Sequence, residues 1–277
     1  MEPLKSPEGD LRRTMTRRAV LSLTVLILSA VIIALFVESP PHSVLGKADL
    51  VGFAVCHRMP ERSFILAGQQ LPLCARCTGT FLGAMLGLIA MLVLGRRRAS
   101  SLPPVPILGL LLIFMGLWAF DGLNSYLGLF PGAPQLYQPQ NWLRLTTGLL
   151  EGLALMIFVL PILNFSLWRD PKHEPVIRNL VEMLAILPLV GLLVLVVQAQ
   201  IDILLYPLAI ASSLGVVILL TMIDTILVVV VLRREGTAQS WRQLVVPFCA
   251  GLALAILQIA ALGLLRAYLT VTFGLTF

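Results

Sequence analysis

Seven long apolar runs constrain this chain more than any other feature, because each is long enough to cross a bilayer as a helix. They lie at Ala19–Val37, Thr78–Leu94, Val105–Leu127, Trp142–Phe165, Leu180–Gln198, Leu204–Leu232 and Leu244–Leu269. The first alone reaches about 28 Å at the helical rise per residue. A membrane β-barrel needs alternating segments of roughly ten residues, whereas these runs are continuous and longer. The chain is 58% hydrophobic and only 12% charged, against about 25% charged in soluble domains. That balance excludes a soluble enzyme, a disordered chain and a disulfide-stapled secreted module. The expected fold is all-α: a polytopic integral membrane protein with about seven transmembrane helices in one bundle and the lipid bilayer as its partner.

The net charge of +6 is distributed in short clusters between the runs. With the N-terminus placed in the cytoplasm, the inner segments hold fourteen of the 20 Lys and Arg residues, including Arg96–Arg98, Arg169, Lys172, Arg178, Arg233, Arg234 and Arg242. This bias is that of a multi-pass protein of the plasma (inner) membrane. No basic segment is interleaved with aromatics, so nucleic acid is not an expected partner. Residues 1–18 form a basic cytoplasmic tail and 19–37 an uncleaved anchor, since Glu38-Ser39-Pro40-Pro41 offers no small-x-small cleavage site. Residues 38–77 then face the periplasm or extracellular space.

That outer segment concentrates the chemistry. Cys56, His57, Cys74 and Cys77 lie within 22 residues, while the only other cysteine, Cys249, sits in the last run. Residues 48–56 are apolar enough for a short interfacial helix, and 63–66 and 70–73 flank a glycine turn and read as a hairpin. Cys74-x-x-Cys77 opens the second span, so that one helical turn offers two sulfurs to one ion. Cys56 and His57 supply the remaining pair of a tetrahedral zinc site. Adjacent Cys56 and His57 diverge in any regular backbone, so His42, Asp121 or water are alternative fourth ligands. A water there makes the site open and suited to catalysis.

The same residues allow a redox reading. A Cys-x-x-Cys at a helix N-terminus beside Arg76 is expected to have a lowered thiol pKa. It would serve a membrane thiol–disulfide oxidoreductase that passes electrons to quinone. A plain disulfide staple leaves an odd thiol on an oxidising side.

Cys56-His57-x-x-Pro60-x-Arg62-Ser63-Phe64, then Gly68-x-x-Leu71-Pro72-Leu73 and Cys74-Ala75-Arg76-Cys77-x-Gly79-x-x-x-Gly83, resembles a family of predicted membrane proteins known as domain of unknown function 2085. The resemblance continues through Asp121-Gly122 and Asn141, Arg144, Thr147, Gly148 and Gly152, covering roughly residues 50 to 155. It implies that these residues act together and supplies no activity. It makes 78–165 the family core and leaves the last three spans, in 166–277, without a counterpart.

Ionisable groups at membrane depth are costly and face a bundle interior or a water-filled cavity. Arg62, Arg76, Asp121, Asn124, Asn141 and Arg144 are expected to surround the cysteines in one outward-facing pocket, with Asp121 and Arg144 as an ion pair. Glu151 and Asp224 lie deeper and define a third reading, a small-solute transporter. Gly79, Gly83 and Gly87, with Gly148 and Gly152, recur every four residues and predict close packing of the second and fourth spans.

Overall fold

The computed structural model describes residues 7–130, 132 and 134–274, without the side chains of residues 7–18. The basic tail expected at 1–18 therefore lies partly outside the described residues. From residue 7 onward it joins the first span in a single helix, α1 (Pro7–Glu38). The others are α2 (Val44–Val55), α3 (Ala75–Val93), α4 (Val105–Leu127), α5 (Asn141–Leu167), α6 (Leu180–Gln198), α7 (Leu205–Val231) and α8 (Val245–Phe273). All but α2 are long and apolar enough to cross a membrane, giving seven spans among the described residues. The chain is thus an all-α polytopic membrane protein.

The bundle is built around α5. Two thirds of its most apolar window is buried, against 6% for α1, which lies at the periphery against α8. The tightest packing is between α3 and α5, and glycines permit it. A Cβ on Gly83 would stand 2.1 Å from the carbonyl oxygen of Leu149, and one on Gly152 would stand 1.8 Å from that of Thr80. Only hydrogen fits at those positions, as the four-residue glycine spacing predicts.

Two small sheets cap opposite ends. At the end where α3 begins, β1 (Ile65–Leu66) pairs antiparallel with β2 (Gln69–Gln70) through a turn at Ala67 and Gly68, both left-handed at φ 49° and 72°. The expected hairpin is present but shorter, because Leu71–Cys74 is drawn down into the core: Leu71 and Leu73 are fully buried. At the end where α3 finishes, β3 (Ala99–Ser101) runs parallel to β4 (Lys172–Pro175). There Arg96 bridges Glu174 at 3.2 Å and Glu182 at 2.9 Å, and the Arg98 guanidinium stacks 3.6 Å above the Trp168 ring. The bundle therefore has a cysteine end and an arginine-rich end.

Candidate metal centre

Two short elements bring the cysteines together. Helix α2 starts at Ser43, whose hydroxyl accepts from the Gly46 N–H at 3.1 Å, and ends at Cys56. One turn before Cys56, Gly52 lies against Pro72: a Cβ there would fall 2.0 Å from the Pro72 carbonyl oxygen. Pro72 is two residues before Cys74, so this contact sets Cys56 beside the start of α3. Cys74 is the extended residue that caps α3, and Cys77 follows in the first turn. Thr78, fully buried, donates its hydroxyl to the Leu73 carbonyl at 3.1 Å and fixes this entry.

The result is three sulfurs, of Cys56, Cys74 and Cys77, all within 4.8 Å of one another and none in a disulfide. The Cys74 backbone N–H donates to Cys56 Sγ at 3.2 Å. Hydrogen bonds from the Cys74 and Cys77 thiols, with a smaller one from His57, hold the Cys56 thiol well below its ordinary value despite burial. The Cys74 thiol is pushed up to about 11, first by its hydrogen bond to Cys56 and then by burial.

His57 lies outside the mutually close set. Cys56 has extended backbone, φ −138° and ψ 143°, which sends successive side chains to opposite sides. The His57 side chain interacts with Cys56, and its Nε2 is buried without a hydrogen-bond partner. His42 is exposed on the Pro40–Ser43 link, and Asp121 is engaged elsewhere. Cys249 also stands apart from the cluster.

Around the sulfurs lies a polar layer. Asp121, 1% exposed, forms an ion pair with Arg76 and accepts a 2.7 Å hydrogen bond from the Tyr137 hydroxyl. Arg144 therefore does not pair with Asp121; its Nη1 donates to Asn141 Oδ1 at 2.8 Å. The reason is position. Arg76 leaves the first turn of α3 beside α4, and its Nη2 also donates to Ser125 Oγ at 3.1 Å. Asn124 clamps the loop before α5, accepting from Leu136 N–H at 2.9 Å and donating to the Tyr137 carbonyl at 3.0 Å. Asn141 Nδ2 donates to the Glu61 carbonyl at 3.1 Å, and Arg62 Nη2 to the Ser125 carbonyl at 3.3 Å. Burial, then the hydrogen bond to Asp121, pushes the Tyr137 phenol up to about 12, so it remains a donor.

Two participants escaped the sequence reading. Arg266, from the far half of α8, donates to the carbonyl oxygens of Phe53, at 2.6 Å, Cys56 and His57, at 3.1 Å, pinning the segment that carries the first cysteine. Its charge inside the last span was the available signal, yet nothing local tied it to residue 56. Tyr137 sits in a loop with no motif. Glu151 and Asp224 stay apart from the cysteine set; each keeps one carboxylate oxygen buried without a partner, and Asp224 accepts from Gln258 Nε2 at 2.9 Å.

The family model described as Predicted membrane protein (DUF2085) matches residues 56–158. An uncharacterized protein of Methanocaldococcus jannaschii, MJ1492, is 32% identical over 118 residues, 43% of this chain and 69% of that protein. An uncharacterized protein of Methanothermobacter thermautotrophicus is 35% identical over 104 residues, 37% of this chain and 82% of that protein. No solved structure matches. The matched stretch carries all three clustered cysteines and α3 and α4, and ends within α5.

Proposed function

This chain belongs to the DUF2085 family of membrane proteins, and from that premise we propose that it carries a zinc centre held by Cys56, Cys74 and Cys77 on the outer side of the membrane. The observation that carries this reading is the convergence of three free sulfurs, from two chain segments, to within 4.8 Å of one another. Tetrahedral zinc with Zn–S bonds of roughly 2.3 Å sets its sulfurs roughly 3.8 Å apart, a small adjustment from that cluster. Metal binding needs thiolates, and Cys56 is already held toward that form.

Three protein ligands leave a fourth position for water or a ligand oxygen, the pattern of catalytic rather than structural zinc. Zinc there would supply Lewis acidity. His57 Nε2 is buried and unpartnered next in sequence to Cys56, which makes it the residue whose substitution separates a three-ligand from a four-ligand centre. Arg266 and the Gly52–Pro72 contact hold the two ligand segments in register.

The test is elemental analysis of the purified protein together with thiol counting. We expect about one zinc per chain, with reduced cysteines. Cys74→Ser and Cys77→Ser should each abolish metal retention, and Cys249→Ser should not. His57→Ala should retain the metal. Loss of metal in His57→Ala would make His57 the fourth ligand and the centre structural. A metal-free protein with a disulfide that cycles under thiols would move the assignment to thiol–disulfide exchange with quinone as acceptor.

A further inference from the structure

Carboxylates do not match all the guanidiniums around the cysteines. Arg58 has Asp49 at 2.6 Å, Arg76 has Asp121, and Arg266 has three carbonyl oxygens. Among the described residues, Arg62 and Arg144 make no ion pair with a carboxylate; each donates only to a neutral oxygen, of Ser125 and Asn141 respectively. Arg144 is only 7% exposed, and its Nε is buried with no partner. It lies within electrostatic reach of two further guanidiniums, Arg62 and Arg76, set against Asp121 and Cys74. Positive charge so placed is costly unless an anion joins it.

We propose that Arg62 and Arg144 bind the phosphoryl group of a phosphomonoester beside the cysteine cluster. A phosphomonoester carries about −1.5 to −2 charges at neutral pH. One such group offers enough oxygens to accept from both Arg62 and Arg144, neither of which has a carboxylate partner, whereas a monocarboxylate offers two oxygens and a single charge. Its oxygens accept from the forked donors of arginine. Helices α3 and α5 both begin at this end, and their N-terminal peptide dipoles add to the positive potential. As an anion site this stands without any metal; only as the substrate subsite of a metal centre does it rest on the reading above.

The experiment is equilibrium binding of radiolabelled inorganic phosphate to the purified full chain in detergent, with metal content measured on the same sample. Saturable binding at one phosphate per chain is expected. It should weaken by at least about 30-fold in Arg144→Gln, the loss typical of truncating a buried charge–hydrogen-bond partner. Arg62→Gln, at a less buried position, should also weaken it and serves where Arg144→Gln fails to fold. Arg97→Gln, at the opposite end of α3, should leave it unchanged. Bilayer discs separate the sources: competition by phosphatidate assigns a lipid headgroup, and competition by glycerol phosphate alone assigns a soluble ester. Phosphate binding to metal-free protein sustains the anion site while the zinc reading falls. Metal-loaded protein that binds no phosphate, or binds acetate as tightly, overturns the proposal and makes the guanidiniums counter-charges to the thiolates.

Discussion

Asp121 is the residue on which the polar layer depends, since it receives both Arg76 and Tyr137 while 1% exposed. Removing one member of such a pair strands the other, which costs about 3–5 kcal/mol in soluble proteins, whereas removing both can be nearly neutral. Asp121→Ala and Arg76→Ala should therefore each lower the melting temperature in detergent, and the double variant should regain much of the loss. Asp121→Ala combined with Arg144→Ala should show no comparable rescue. Rescue in that second pair and none in the first would reverse the assignment. The sequence placed Asp121, Arg76 and Arg144 at one end of the bundle, because span order alone decides that. The choice of partner depends on how α3 and α5 are rotated about their axes, and no local pattern encodes it. A surface counterpart lies at the arginine-rich end. The Glu174 carboxyl is held below its usual range by its hydrogen bond to Arg178 and by the Arg96 charge. A depressed pKa stabilises the fold above the ordinary carboxyl range and loses that contribution as the pH falls through the depressed value. Melting temperatures of the wild type and Glu174→Gln should therefore converge on acidification and separate toward neutral pH.

At the scale of elements, glycines decide which helices touch. The spans were legible to within a few residues, since apolar runs and turn residues mark them directly. Helix α3 begins at Ala75, three residues before the continuous apolar run, because Cys74 caps it and Arg76 can sit in its first turn while reaching Asp121. The α3–α5 contact was legible from the four-residue glycine spacing. The role of Gly52 was not, because its partner Pro72 lies in irregular chain and the contact has no period. Gly152→Ala and Gly52→Ala then separate two functions of close packing. Overpacking typically costs about 1–3 kcal/mol. Gly152→Ala should lower stability while the cysteines stay together, because α2 and the α3 N-terminus lie beyond that contact. Gly52→Ala should part Cys56 from Cys74, so that metal retention falls by more than stability does. Equal metal content in the two variants at matched stability would show that the Gly52 contact does not set the cluster.

At the scale of the whole molecule, the bundle separates two kinds of charge. Arg96, Glu174, Arg178 and Glu182 are laced together where α3 ends, with Arg98 stacked on Trp168, and the cysteines with Arg62, Arg76 and Arg144 gather where it begins. A helix of 19 residues separates them, about the length needed to cross the hydrocarbon core. The two ends must therefore face opposite compartments. Basic residues are retained on the cytoplasmic side of bilayers, and on that ground we propose the cysteine end as exterior and the N-terminus as cytoplasmic. A variant keeping Cys74 as its only cysteine has lost the other two ligands of the centre and should react in intact cells with a membrane-impermeant thiol reagent. A second single-cysteine variant, with Arg97→Cys in a cysteine-free background, should react only after the membrane is opened. Two labels are needed because Cys74 is buried and its silence alone has two causes. If the position-97 thiol reacts from outside, the orientation is inverted and the centre faces the cytoplasm. There glutathione keeps thiols reduced, a metal-held cluster needs no protection from oxidation, and quinone-linked disulfide chemistry loses its oxidising compartment.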